Sequence, residues 1–140
     1  MGWGGVPIRK TRILVYSSAH LFHAICHVFE GRGDFEIVGH SGSIRQLAEK
    51  SREFVPELVI ANLKPVRTGI CSVVLAIKHS LPLAKLILIC PVTDLNAVGK
   101  RCGADACLSP DDLLVRLPRT ASALSRARTS DKQTRTGVPA

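Results

Sequence analysis

The sequence predicts an α/β fold: a three-layer sandwich around a flavodoxin-like, five-stranded parallel sheet of strand order 2-1-3-4-5. Short apolar runs alternate five times with segments of helical period, which is the pattern of a parallel sheet covered on both faces. The predicted strands with the most continuous apolar runs are the first, third and fourth, at 13–16, 58–61 and 85–90. This strand order places those three runs in the centre of the sheet and the two weaker runs at its edges.

The composition indicates one domain in a reducing compartment. The chain has 140 residues, of which 46% are hydrophobic, enough for a single substantial core. No apolar run approaches the roughly 20 residues that span a bilayer, and the Gly-rich start is not an export signal, so we expect a cytoplasmic protein. The five cysteines are odd in number and lie mostly among apolar residues, which is typical of reduced, buried thiols. We therefore expect no disulfide and no cofactor.

The positive charge of the chain is concentrated towards its two ends. The formal net charge is +8. Arg9, Lys10 and Arg12 precede or open the first strand, and the final stretch carries Arg126, Arg128, Lys132 and Arg135. Basic tails attract polyanions without reading a base sequence. Sequence-specific DNA binding is therefore not expected from this charge.

The first half of the chain divides into an arm and two strand–helix units. Residues 1–10 are predicted to be a flexible arm, followed by the strand at 13–16 and a helix at 19–30. A Gly-rich turn leads to an edge strand at 35–39. Ser43 is the predicted N-cap of a second helix, which ends before Pro56.

The second half continues the alternation. The strand from Leu58 ends at Asn62, a helix with apolar period follows at 69–79, and Pro91 stops the fourth strand. Asp94 is the predicted cap of a fourth helix, and a short fifth strand covers 106–108.

The last helix has a clear start and a predicted irregularity. Ser109 provides an N-cap, Pro110 occupies the first turn, and two acids follow. Pro118 is expected to kink the helix because it lacks an amide hydrogen. From about Arg126 the apolar period is lost, which predicts a domain at 11–125 and a disordered basic tail at 126–140.

The carboxyl ends of the central strands carry the candidate site. Ser17 and Ser18 follow the first strand, Asn62 ends the third, and Cys90 ends the fourth. In open parallel sheets these ends face a common crevice in which ligands bind. We expect these four side chains to lie close together.

The chain resembles the receiver domain of two-component response regulators, and is closest to the subclass that usually carries a C-terminal helix-turn-helix. The resemblance covers residues 11–125 and is carried by motifs that keep the family's order and spacing. These are the segments 12–18, 34–39, 56–60 and 85–89, together with the turn Gly103-Ala104-Asp105 before the fifth strand.

The resemblance implies a set of functional positions at which this sequence departs from the family. The family's two magnesium-binding acids fall on Ser17 and Ser18, and its phosphoacceptor aspartate falls on Asn62. Its signalling Thr or Ser falls on Cys90. Its switch aromatic and its lysine fall on Cys107 and Pro110.

These departures predict a pseudo-receiver, which takes part in phosphorelay signalling without accepting phosphate. Neutral hydroxyls are poor substitutes for the carboxylates that hold magnesium. Asn62 has no anionic oxygen to attack a phosphoryl donor, and no lysine balances the developing charge. We expect no enzymatic activity and no metal.

A receiver-like module of this kind is expected to act through protein–protein contact. The resemblance implies an interaction face on the fourth helix, the fifth strand and the last helix, with a kinase, a regulator or a second copy of the chain as partner. The charged positions on that face are Asp94, Lys100, Arg101, Asp111, Asp112, Arg116 and Arg119.

Two other functions remain open from the sequence. The neutral pocket at Ser17, Ser18, Asn62 and Cys90 could bind a small ligand, and the basic tail could bind nucleic acid electrostatically. His20, His23 and His27 share one face of the first helix, but a solvated helix face is a more common role for such residues than a metal site.

Overall fold

A computed structural model describes residues 10–62, 69–89 and 103–137. The five strands form one parallel sheet in the order β2-β1-β3-β4-β5, which confirms the predicted topology. The strands are β1 (Thr11–Tyr16), β2 (Phe35–Ser41), β3 (Leu58–Asn62), β4 (Lys85–Ile89) and β5 (Ala106–Leu108). The helices are α1 (Ala19–Phe29), α2 (Ile44–Phe54), α3 (Gly69–Ser80) and a C-terminal helix (Leu113–Gly137), which follows a 3-10 turn at Pro110–Asp112.

Alternate residues of the central strands form two separate cores. Ile13, Val15 and Ile60 lie in a cluster with residues of α1 and the C-terminal helix, such as Ile25 and Leu117. The intervening strand residues lie in a second cluster with residues of α2 and α3, which contains Leu14, Val59, Leu86, Leu88, Leu47, Val74 and Ile77. Both faces of the central strands are therefore buried, which explains why their apolar runs are continuous.

The helix starts follow the predicted capping. Ser43 Oγ accepts a hydrogen bond from the amide of Gln46 at 3.2 Å and caps α2. Ser109 Oγ likewise accepts from the amide of Asp111, at the start of the 3-10 turn. At the other end of α2, the chain leaves the helix through Val55, which has the left-handed φ of 45°.

The turn before β5 is connected to β4 through Asp105. Its Oδ2 accepts hydrogen bonds from the amide of Leu86 and from Lys78 Nζ, each at 2.8 Å. The backbone amide of Asp105 in turn donates to the carbonyl oxygen of Leu86 at 2.9 Å. These bonds fix where the short edge strand β5 begins.

The C-terminal helix is longer than the sequence analysis predicted. Its backbone is helical to Gly137, eleven residues beyond Arg126, where the disordered tail was expected to start. The physical reason is that neither glycine nor proline, the two strongest helix breakers, occurs between Arg119 and Gly137. The helix is continuous through the buried Pro118.

Two further predictions differ from the structure or lie outside it. Strand β2 continues to Ser41, two residues past the predicted end, because it remains paired with β1 up to Tyr16. The fourth helix predicted after Asp94 lies outside the described residues. Within the described part of the chain, no helix is both long and apolar enough to cross a membrane.

Candidate functional site

The register of the sheet brings the predicted site residues to one edge. Tyr16 at the end of β1 lies opposite Ala61 of β3 and Ser41 of β2, and Asn62 lies opposite Ile89 of β4. Ser17 and Asn62 therefore lie at the carboxyl edge of neighbouring strands, as the crevice rule for parallel sheets requires. Cys90, which follows Ile89, is outside the described residues, so its place in the site stays a prediction.

Both serines of the site are used in local hydrogen bonds. Ser17 is buried, and its Oγ donates to the carbonyl oxygen of Ser18 at 2.9 Å. Ser18 is exposed and caps α1, because its Oγ accepts from the amide of Leu21 at 3.2 Å. The serine at the second acid position of the resemblance thus has a structural role in starting the helix.

Asn62 contributes a neutral amide to this edge. Its side chain is partly exposed at the end of β3, where Ala61 and the residues before it are buried. It offers one oxygen acceptor and one NH2 donor, and no anionic oxygen. The described part of the site therefore contains hydroxyl and amide groups without a carboxylate.

The side chains that the structure describes at this edge do not fit a magnesium ion. Mg²⁺ requires near-octahedral oxygen ligands and is usually held by one or two carboxylates. Ser17 Oγ and Ser18 Oγ are neutral and already take part in bonds to the backbone. Among the described residues no group of three His, Cys, Asp or Glu side chains is placed to hold a metal ion.

The histidines of α1 do not converge on a metal site in the described structure. His20, His23 and His27 are all exposed. His27 Nδ1 lies 3.1 Å from Glu30 Oε1, and both side chains are more than two-thirds exposed. This helix face is polar and solvated.

His40 is a neighbour of the site that the sequence analysis did not identify. Its Nε2 donates to the carbonyl oxygen of Ser17 at 2.8 Å, since a carbonyl can only accept. Its ring stacks on Phe22 of α1 with centroids 4.2 Å apart, and Lys50 Nζ donates to its backbone oxygen at 2.6 Å. The available signal was the position of His40 near the carboxyl end of β2, just past the predicted strand boundary.

Two further positions of the resemblance, Cys107 and Pro110, have structural roles. Cys107 is the middle residue of β5, pairs with Leu88 and packs against the second core cluster. Pro110 is exposed and begins the 3-10 turn that Ser109 caps. Neither residue can supply the cation that lysine provides in the family.

The described part of the predicted interaction face is charged and exposed. Asp111 and Asp112 are exposed in the 3-10 turn, and Arg116 Nη1 lies 3.8 Å from Asp112 Oδ2. Arg116 and Arg119 also line a groove of about 420 Å³ between the C-terminal helix and Ala106 of β5. The other members of the predicted face, Asp94, Lys100 and Arg101, lie outside the described residues.

Two large apolar side chains of the C-terminal helix are also exposed. Leu114 and Val115, in the first turn of the C-terminal helix, are 66% and 64% exposed. Strand β5 is the last strand of the sheet, so one of its edges is not paired with another strand of the sheet. Exposed apolar residues and open sheet edges are each typical of contact surfaces.

Comparison with known proteins shows the fold of the chain. No protein-family model matches, and a search of curated proteins gives no match. Among solved structures, the RcsB response regulator of Salmonella typhimurium aligns at 14% identity with a TM-score of 0.73, over 85% of this chain and 61% of that one. The chain thus spans less than two-thirds of the RcsB structure.

Isolated receiver domains align over nearly their whole length. The signal receiver domain of a putative Luxo repressor protein from Vibrio parahaemolyticus is 22% identical, with a TM-score of 0.72, over 87% of this chain and 95% of that one. The receiver domain of the putative response regulator NarL from Mycobacterium tuberculosis is 18% identical, with a TM-score of 0.67, over 86% and 98%. The chain therefore has the fold of a response-regulator receiver domain.

Proposed function

We propose that this chain is a receiver-like signalling module of a two-component pathway that does not accept phosphate and acts by binding another protein. The observation that supports it most strongly is the chemistry at the carboxyl edge of β1 and β3. Ser17, Ser18 and Asn62 offer neutral groups where phosphoryl transfer would need carboxylates. The fold of the receiver domain is retained around them.

The hydrogen bonds of Ser17 and Ser18 argue against the idea that these serines replace the family's acids as ligands of a metal ion. A phosphoryl-transfer site needs a nucleophile, a metal and a counter-charge held together, and loss of all three removes the reaction. Ser18 Oγ is committed to the amide of Leu21, and Ser17 Oγ to the carbonyl of Ser18. Restoring a carboxylate at Asn62 alone would leave the metal ligands and the lysine missing.

The surface at β5 and the C-terminal helix supports a role in protein binding. It contains a groove lined by Arg116 and Arg119, and the same helix exposes the apolar Leu114 and Val115 in its first turn. Interfaces commonly join an apolar centre to a charged rim, and arginine is enriched in them. The partner that this surface suits is a signalling protein such as a kinase or regulator, or a second copy of the chain.

Phosphate acceptance is tested by intact-protein mass spectrometry. The purified protein is incubated with acetyl phosphate and Mg²⁺ beside a receiver domain that has the full acidic set, which verifies the reagent. We expect no mass increase for the parent protein or for Asn62→Asp. A stable addition of one phosphate to the parent, lost in Asn62→Ala, would show that the module is an active phosphoacceptor.

The binding surface is tested with a charge reversal and a matched control. Arg119→Glu changes the groove, whereas Arg45→Glu makes the same change on the exposed face of α2. The parent and both variants are immobilised in turn, and the host proteins that each one retains are compared. Self-association of the three proteins is measured by light scattering. We expect Arg119→Glu to lose the interaction and Arg45→Glu to keep it. If Arg119→Glu and Arg45→Glu retain the partner equally well, this surface is not the binding site.

A further inference from the structure

The C-terminal helix extends beyond the sheet. It begins next to Ser109 at the carboxyl end of β5 and returns towards the amino ends of the strands. Thr11 Oγ1 at the start of β1 forms a hydrogen bond with Ser125 Oγ, which marks the level at which the helix reaches that edge. The helix ends twelve residues later, at Gly137, which corresponds to about 18 Å of further α-helix.

The sequence of this extension, residues 126–137, is polar along its whole length. It has four basic residues and one acid, and Ala127 is its one apolar side chain. Nine of its twelve residues are of the types that contact phosphate oxygens in nucleic-acid complexes, namely arginine, lysine, serine, threonine and glutamine. They are Arg126, Arg128, Thr129, Ser130, Lys132, Gln133, Thr134, Arg135 and Thr136.

The amino edge of the sheet adds positive charge close to the point where the extension starts. Lys10 is exposed immediately before Thr11, and Arg12 is partly exposed immediately after it. Three acids lie on the same edge, one of which is the exposed Glu36, opposite Arg12 in the register. Glu57 Oε1 accepts a hydrogen bond from the backbone amide of Arg12. Asp34 is exposed to solvent. The extension itself therefore carries the main positive charge of this end of the molecule.

We propose that the C-terminal extension binds the phosphate backbone of nucleic acid without reading its base sequence. A helix that carries basic and hydroxyl side chains resembles the continuous basic helices that proteins place along DNA grooves. Phosphate neutralisation by Lys and Arg supplies affinity through counterion release and carries no sequence information. This activity is separate from the proposed protein contact at β5.

The composition of the extension favours nucleic acid over other anionic partners. An interfacial membrane helix needs an apolar face opposite its charged face, and residues 126–137 do not contain one. A helix that docks in a protein groove needs apolar anchors at i, i+3, i+4 and i+7, which are also missing. What remains is recognition by charge and hydrogen bonding, for which a row of phosphates is the complementary surface.

Fluorescence anisotropy of the full chain with a labelled mixed-sequence duplex of about 20 base pairs tests the proposal. For four phosphate contacts, the dissociation constant should rise roughly 100-fold between 50 and 200 mM salt, because each contact contributes about 0.9 to the logarithmic slope. Unlabelled duplexes of different, unrelated sequences should all compete equally well with the labelled duplex.

Two double variants of equal charge separate the extension from general electrostatic attraction. Arg126→Gln with Arg128→Gln removes two charges from the extension and keeps its helix propensity. Arg45→Gln with Arg52→Gln removes two charges from exposed positions of α2. We expect the first pair to lower the salt slope by about 2 and to weaken binding at low salt. The second pair should leave both values close to those of the parent.

Three outcomes would overturn the proposal. The first is a duplex affinity that is the same in the Arg126/Arg128 variant as in the parent. The second is equal weakening by both double variants, which would assign the binding to net charge alone. The third is binding to vesicles that contain phosphatidylserine, or to poly-glutamate, under conditions in which the duplex does not bind; these would assign the extension to a membrane or to an acidic protein.

Discussion

Lys78 Nζ at the end of α3 lies 2.8 Å from Asp105 Oδ2 in the turn before β5, and each side chain is only about one-quarter exposed. The same carboxylate oxygen accepts the amide hydrogen of Leu86, and Lys78 Nζ also donates to the carbonyl oxygen of Ala84 at 3.0 Å. One acid and one base thus join α3, the start of β4 and the turn that leads into β5.

Removal of the Asp105 carboxylate is expected to destabilise the domain. Asp105→Ala removes the counter-charge of the partly buried Lys78, which keeps the carbonyl oxygen of Ala84, and leaves the amide of Leu86 without this acceptor, so we expect a loss of about 2 kcal/mol in the free energy of unfolding. Asp105→Asn keeps an oxygen for the amide and should lose only about 1 kcal/mol.

Urea denaturation gives these free energies, and Lys78→Met completes a double-mutant cycle with Asp105→Asn. A coupling energy near zero, or a loss below roughly 0.5 kcal/mol for Asp105→Ala, would mean that the turn is held by other contacts.

The capping role of Ser18 leads to a second prediction. Ser18→Ala removes the acceptor for the amide of Leu21 and should lower the free energy of unfolding by about 1 kcal/mol. Ser18→Asp keeps an acceptor and adds a negative charge at the helix N-terminus, so it should match or exceed the parent.

Thermal unfolding followed by circular dichroism compares the three proteins. The alanine variant should unfold at the lowest temperature, and the aspartate variant at or above the temperature of the parent. If Ser18→Ala is as stable as the parent, the hydroxyl does not cap α1 in solution, and the site serine is available for other contacts.

The topology of the sheet could be predicted because a strand that is buried on both faces has a continuous run of apolar residues. The runs of β1, β3 and β4 are continuously apolar, and the structure places all three in the centre of the sheet. The position of Ser17 and Asn62 at one edge of the sheet followed from the same order, since the carboxyl ends of neighbouring parallel strands share one edge.

Contacts between distant segments could not be predicted in this way. The bond from His40 to Ser17 spans 23 positions, and the ion pair of Lys78 with Asp105 spans 27, without a local pattern that marks either pair. The length of the C-terminal helix was underestimated because the apolar period fades near Arg126, whereas helix propensity continues to Gly137.

Cys26 on α1 gives a prediction about pH. Burial raises the pKa of this free thiol, because a charged thiolate is poorly solvated inside the protein. Alkylation of Cys26 by iodoacetamide should therefore be slower in the folded protein than in the urea-unfolded chain at pH 8, and its rate should rise at a higher pH than that of N-acetylcysteine.

The raised pKa of Cys26 also predicts how the stability of the protein changes with pH. Between the pKa values of the unfolded and the folded thiol, the unfolded chain releases the proton first, so stability falls as pH rises through this window. Peptide mass spectrometry measures the alkylation site by site. Equal rates for the folded and unfolded chain would show that the thiol is solvated. Cys26→Ala should remove this part of the pH dependence.

Val55 gives a prediction of increased stability. It ends α2 with a φ of 45°, and its side chain is 52% exposed. A β-branched residue is strained in the left-handed region by roughly 1 to 2 kcal/mol, whereas glycine adopts it freely and is the usual residue after a helix C-terminus. Because the exposed side chain contributes little packing, Val55→Gly should raise the free energy of unfolding by about 1 kcal/mol, partly offset by the greater entropy of the unfolded chain.

Val55→Ala is the matched control for this strain, since it removes the branch at Cβ but keeps the Cβ atom itself. It should recover less than half of the gain seen with glycine. Urea denaturation of the three proteins at one pH gives the order Gly above Ala above Val. A lower stability for Val55→Gly than for the parent would mean that the backbone at residue 55 is not left-handed in solution, because only a positive φ makes glycine the better residue there.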